Sequence, residues 1–294
     1  MTHENFSYGC DGLYRWFCGA YATKNGHTVT GLVRSQEKAD AIKRVGMTPV
    51  VGTLEDHRLL RAHVQASDAV IHTADADNRD AVTTFLAALA GTGKMFIHTS
   101  GSSIVGDDAQ GMSVSQHVLT EDMPFVPMDI RQARHDINQL VRIEGIRLGV
   151  RTMVITPPMI YGDGLGITKD SDQLPKLIAA SHEAQAGVYV GTGVNRWSNV
   201  HIADLADLYA LALLKGTTGM MLYAENGEAS FHEIAIAISH QLGSGGKTQA
   251  LSMNEAIVRW GEWARYALGS NSRVVARNAH ELLGWQPLFS SMFA

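Results

Sequence analysis

Short apolar runs alternate along the chain with amphipathic segments, and the alternation starts at once. ENFSYG reads as a strand, Gly9 and Gly12 punctuate a turn, Leu13 to Asn25 has helical character, and Gly26 resets the chain into HTVTGLV, which ends at Arg34. Residues 36 to 44 form a polar-faced helix stopped by Gly46, followed by the strand TPVVG. A helix with Leu59, Leu60 and Val64 on one face leads to DAVIHTA, and the helix Arg79 to Ala90 leads to GKMFIHTS. Strand and helix in strict turn predict a parallel, doubly wound sheet covered on both faces, with a ligand crevice at the carboxyl ends of its strands.

Residues 101 to 127 break the rhythm. GSSIVGDDAQGMSVSQHVLTEDMPFVP is rich in turn formers, and the expectation is a long adjustable lid over the crevice. A helix from Met128 to Leu148 comes next, then GVRTMVITPPMIYGDG, a strand with a sharp exit through Pro157 and Pro158. Residues 173 to 186 read as helix, VYVGTG and WSNVHI as short extended pieces, and Ala203 to Leu214 as a helix with Leu205, Leu208, Leu211 and Ala212 facing inward. GMMLYA is expected as the last strand, and residues 231–242, 254–268 and 276–283 as a mainly helical lobe. The implied division is a nucleotide-binding domain at 1–160 and a mainly substrate-binding lobe at 161–294, interleaved with returning elements near 199–225.

Composition narrows this picture. The 294 residues, 45% hydrophobic with 29 Gly and 7 Pro, can bury a substantial core. Twenty-four basic against 29 acidic residues give a net charge of -5 and no basic tract, so nucleic acid is not an expected partner. No apolar run approaches the roughly 18 residues of a membrane span, and the start of the chain lacks an export signal. Cys10 and Cys18 are the only cysteines, and the thirteen histidines, His98, His117, His135 and His201 among them, are scattered and without HExxH, so no metal site is expected.

In their order and spacing, GxxGxxx with GHTVTGLVRS, TPVVGTL, DAVIHTA, FIHTSGSS, GVRTMVITPPMIYGDG, RWSNVHIADLADLY and ELLGWQP resemble an extended or atypical short-chain dehydrogenase/reductase, in the epimerase, dehydratase and dihydroflavonol-reductase branch. The resemblance covers nearly the whole chain. It implies a Rossmann-like domain holding NAD or NADP and a smaller, mainly helical C-terminal lobe over the substrate. Gly9 and Gly12 match the first two glycines of the family's pyrophosphate loop, and Arg15 stands at the third. Arg34 with Ser35, and Lys38 nearby, occupies the place where an acidic residue would take the adenosine ribose, a set suited to the 2′-phosphate of NADP. Ser102 or Ser103 matches the family's hydroxyl on the substrate oxygen. The expected YxxxK is degenerate: spacing puts Met128 and Gln132 there, with Asp136 one turn on, and neither side chain can serve a phenolate proton relay.

Other residues are drawn to the crevice. Tyr161 and His201 are candidate proton donors beside Ser102 or Ser103. Met128, Arg131, Gln132, Met159 and Trp197 are candidate substrate contacts, Arg131 with Arg134 for an anionic group. The leading expectation is a diverged enzyme that isomerises, eliminates from or cyclises a small apolar or aromatic metabolite without redox chemistry and with no cofactor required. The alternatives are an NADP-dependent reductase with an unusual proton donor, NADP being retained or vestigial, and a non-catalytic nucleotide or ligand sensor. The expected partner is a small molecule, with no membrane or nucleic acid, in a cytoplasmic protein that can pair as a homodimer.

Overall fold

The computed structural model describes residues 4–8, 13–163 and 172–293, with backbone alone for 4–8 and 13–18. Gly9, Gly12 and the side chain of Arg15 therefore lie outside the described residues. The first half runs β1 (Glu4–Tyr8), α1 (Leu13–Lys24), β2 (Thr28–Val33), α2 (Gln36–Arg44), β3 (Thr48–Val51), α3 (His57–Ala66), β4 (Ala69–His72), α4 (Arg79–Leu89), β5 (Met95–Thr99), a 3-10 turn at Ser102–Val105, α5 (Asp129–Leu148) and β6 (Arg151–Thr156). The second runs β7 (Met159–Tyr161), α6 (Gln173–Ala184), β8 (Gly187–Val190), β9 (Arg196–His201), α7 (Ile202–Lys215), β10 (Met220–Tyr223), β11 (Glu228–Ser230), α8 (Phe231–Gln241), β12 (Thr248–Leu251), α9 (Met253–Trp260), α10 (Trp263–Ala267) and α11 (Arg277–Leu283).

Seven parallel strands form one sheet in the order β10-β6-β5-β4-β1-β2-β3. The chain reverses direction of growth at β1, which pairs with both β4 and β2, so a crevice opens at the carboxyl ends there. β4 and β5 are buried at every position, which is why AVIH and MFIHT are continuous apolar runs closed by a histidine or threonine. Local capping sets the helices. Ser35 accepts from the Lys38 amide, Asp56 from Leu59 and Asn78 from Ala81, while α8 and α9 open with reciprocal Ser–Glu caps at Ser230/Glu233 and Ser252/Glu255.

The main apolar cluster lies around the sheet and extends to α7, α11 and Trp285; a second cluster joins Met159, Leu177, Trp197, Phe231, Ile234 and Leu268. Two small sheets support the second cluster, β11-β9-β7 and β12-β8. The sequence pattern misses β7, β11 and β12, which are three or four residues long, and it joins α9 to α10 across Gly261. No helix among the described residues is long and apolar enough to cross a membrane.

Where β8 passes α8 the backbones meet. A β-carbon on Gly187 would lie 1.9 Å from the Ala235 carbonyl oxygen, which cannot swing aside as a side-chain tip would. Gly187→Ala is expected to destabilise the protein by about 1–3 kcal/mol, read as a lower urea midpoint at unchanged m. An unaltered midpoint would mean that β8 and α8 sit further apart.

Candidate active site

The crevice wall is built from the segments that leave β4, β5 and β6. Beyond Thr99 the chain runs through Ser100, Gly101 and the turn at Ser102–Val105, and it is tied to the exit of β6 by Ser100 N donating to Ile155 O and Ser102 N to Pro157 O. Ser102 is 1% exposed. Its hydroxyl shares a 2.6 Å hydrogen bond with that of Ser272, which is also 2.9 Å from the Ser102 carbonyl. Ser100–Ser103, Pro157, Pro158, Ile160 and Trp197 line a cavity of about 150 Å³. Trp197 is held there by its indole N–H on the Ser270 carbonyl, so this predicted pocket residue and the two predicted serines do come together.

Helix α5 packs against the same Ser100–Gly101 segment, and its geometry differs from the motif spacing. Met128 is the residue before the helix and is half-buried, whereas Gln132 is exposed and donates to Asp136 on the same surface. Gln132 thus points to solvent, a correction to its expected substrate contact: helix packing, not distance from a motif, decides which face turns inward. The inward residues are Arg131, Arg134 and Asn138. Arg131 is buried over the Tyr266 ring, Arg134 forms a two-pronged bond with Asp77 (2.8 and 2.5 Å), and Asn138 donates to Ser100 Oγ. A β-carbon on Gly101 would come within 3.4 Å of Arg134 Nη1, so this guanidinium lies against the end of β5.

Beneath this surface is a pair of side chains that the sequence pattern does not single out. His72 and His98 are cross-strand neighbours in the β4–β5 register, fully buried and stacked with ring centroids 5.5 Å apart. Burial, His72 and Arg134 together hold His98 well below its usual range, so the ring is neutral. The shared position of the two histidines near the ends of DAVIHTA and FIHTS is the available signal.

Tyr161 and His201 lie elsewhere. With Ile178, Ile234, Phe289 and Met292 they line a different cavity, of about 580 Å³. The Tyr161 hydroxyl donates to Phe289 O, and burial together with Asp204 pushes the phenol up to about 12. His201 stacks on Phe289 at 3.7 Å, and its Nδ1 caps α7 by accepting from Ala203 N. Burial lowers its affinity for a proton. Asp204 accepts from the amides of Leu288 and Phe289 and so straps the C-terminal tail over this cavity. Met159 is 1% exposed within the second apolar cluster.

The expected lid at 101–127 is a brace. Asp107 accepts from the Asn271 backbone and side chain, Asp108 pairs with Arg265, Gly111 N donates to Gly269 O, Leu119 N donates to Arg273 O, and Asp122 pairs with Arg277. Glu121 accepts from the amides of Tyr223 and Asn278. The polar residues that look like a loop composition are used as clamps. Slow hydrogen exchange is therefore expected at the Gly111 and Leu119 amides without any ligand, and exchange at the rate of an open loop would contradict the brace.

Arg34 is exposed beyond β2 and Ser35 starts α2; the nearby Glu55 carboxyl is held below its usual range chiefly by its hydrogen bond with the Thr53 side chain, with Arg34 adding a smaller pull. A guanidinium at a strand end with the first turn of a helix beside it is a donor set that fits the adenosine end of a dinucleotide, a phosphorylated ribose above all.

The model of one family, described as the NAD dependent epimerase/dehydratase family, matches residues 17–221. The chain belongs to that family. It is 30% identical over 281 residues to an uncharacterised protein of Schizosaccharomyces pombe, covering 91% of this chain and 89% of the relative. It is 28% identical to an oxidase of an Acremonium species over 330 aligned positions, covering 98% and 94%. Among solved structures, dTDP-glucose 4,6-dehydratase of Streptomyces venezuelae, with NAD and TYD bound, superposes with a TM-score of 0.77 at 18% identity, covering 98% of this chain and 92% of the other. The Rossmann-like architecture is thereby shared.

Membership overturns the expectation that no cofactor is required. The family is described as NAD dependent, and the dehydratase structure carries NAD on the same fold. A degenerate YxxxK does not by itself imply loss of the dinucleotide, because the strand order that opens a crevice at β1 is set independently of that motif.

Proposed function

We propose that this chain is a cytoplasmic, dinucleotide-dependent enzyme of the epimerase/dehydratase type that isomerises or eliminates from a small metabolite with no net oxidation. Residues 1–160 with the returning 199–225 form the dinucleotide unit, and the remainder forms the substrate lobe. The observation that carries the reading is the buried Ser102–Ser272 hydroxyl pair beside the small Trp197 cavity at the end of β5, within a chain of an NAD dependent family. When bound, the dinucleotide supplies a site that takes up and returns a hydride. The chain's own residues do the rest. Ser102 Oγ donates to a substrate oxygen while Ser272 holds its orientation, and Trp197 with Pro157 and Pro158 keeps water from the reacting carbon. Arg134, against Gly101, stabilises negative charge developing on that oxygen; a guanidinium keeps its protons, so it cannot replace the missing tyrosine as an acid.

Calorimetric titration tests the dinucleotide. Saturable binding of NAD near one per chain is expected, and no binding of either NAD or NADP contradicts the reading. A second reading, net reduction or oxidation with NADP, is favoured by Arg34 beyond β2 and by the Acremonium relative's description as an oxidase. On that reading Arg34→Ala weakens NADP by about tenfold or more and leaves NAD nearly unchanged, since only NADP carries the phosphate a guanidinium would bind. Equal losses for both nucleotides would place the role of Arg34 elsewhere.

A further inference from the structure

Arg131 is a permanent cation that is only 4% exposed. Its Cζ lies 3.4 Å from the centroid of the Tyr266 ring, so the ring covers one face of the guanidinium. Its Nε has no hydrogen-bond partner among the described residues. A stacked guanidinium keeps its N–H donors at the edge, in the plane where a carboxylate presents two oxygens.

Nearby charge does not compensate it. Arg134 repels Arg131, and Asp77, the carboxylate that attracts it, is already bonded twice to Arg134. Among the described residues, Asp77 makes its bonds to Arg134 and none to Arg131. A buried charge whose Nε has no hydrogen-bond partner among the described residues is costly, and an anion bonded at that edge would offset the cost. The position also suits a ligand: Arg131 stands on the inward face of α5, one turn before Arg134 at the end of β5, and touches α10 through Tyr266. It therefore bridges α5 and α10 beside the end of β5.

We propose that Arg131 anchors a carboxylate of the substrate, with Tyr266 orienting the guanidinium and the Arg134–Asp77 pair fixing the helix turn that presents it. The substrate is then a small carboxylic acid carrying the reactive oxygen on another carbon. This rests on the crevice being the substrate site of the function proposed above.

The test uses the full chain and compares melting temperature at constant ionic strength in chloride, acetate, benzoate and inorganic phosphate, with benzamide as the uncharged counterpart of benzoate. At about ten times its dissociation constant, acetate or benzoate should raise the midpoint of the wild-type protein by roughly 2–4 °C. Benzamide should leave it unchanged, and Arg131→Gln should abolish the carboxylate shift. Should that variant fail to fold, Arg131→Lys keeps the charge without the planar fork and should at least halve the shift. Equal shifts in wild type and variant, no shift with either carboxylate, a benzamide shift as large as that of benzoate, or a shift with phosphate alone would each overturn the proposal. Normal NAD binding with no carboxylate shift removes this inference alone, whereas a carboxylate shift without NAD binding removes the proposed function and leaves the anion site.

Discussion

Trp285→Ala should cost about 3–5 kcal/mol, close to half the stability of an ordinary domain. Trp285 is 1% exposed and belongs to the main apolar cluster although it lies near the end of the chain, in the ELLGWQP segment. Its indole N–H donates to the Asp204 carbonyl at 2.9 Å, and the Asp204 carboxylate in turn receives the amides of Leu288 and Phe289. Truncation would leave a large cavity beside α7 and α11 and release the tail from the Tyr161 and His201 cavity. Trp285→Phe should lose less, about 1–2 kcal/mol, because most of the apolar area remains while the hydrogen bond goes. Chemical denaturation reads both. Similar small losses for the two variants would mean that the C-terminal segment contributes little to the core.

The largest effect on chemistry is expected at Ser102. Ser102→Ala should lower kcat by about 10²–10³, the scale of losing a donor to a developing oxyanion, with NAD affinity and melting temperature nearly unchanged. The fold should survive because Ser272 still reaches the Ser102 carbonyl, and the Ser102 amide still donates to Pro157. Tyr161→Phe is the control. Its hydroxyl serves the Phe289 carbonyl in the other cavity, so its removal should affect stability of the tail before turnover. If Tyr161→Phe abolishes turnover while Ser102→Ala does not, the reacting oxygen sits in the larger cavity.

Much of the fold is legible in the sequence because parallel strands buried on both faces write themselves as apolar runs. AVIH and MFIHT could hardly be anything else between their helices. β11 and β12, EAS and TQAL, carry no such run, since they lie at the edges of two small sheets whose pairing partners are distant in sequence. The site is legible by neighbourhood rather than by partner. Ser102, Ser103 and Trp197 do share a cavity, but Tyr161 and His201 line another, because two strand ends in one motif-rich stretch need not face the same hollow. Counting from the serine segment puts Gln132 in the crevice, whereas the packing of α5 turns Arg131 and Arg134 inward. The His72 and His98 contact depends on strand register, which composition does not encode. The clamps of residues 107–122 depend on Asn271, Arg273 and Arg277, all far along the chain.

The most direct test of dinucleotide-dependent chemistry without net oxidation tracks one turnover series by nicotinamide absorbance and product mass together. Protein loaded with NAD and given its substrate should return the dinucleotide to its starting redox state, with a product of unchanged mass or differing by one water. A product two hydrogens richer or poorer, matched by an equal change in nicotinamide absorbance, would contradict the account.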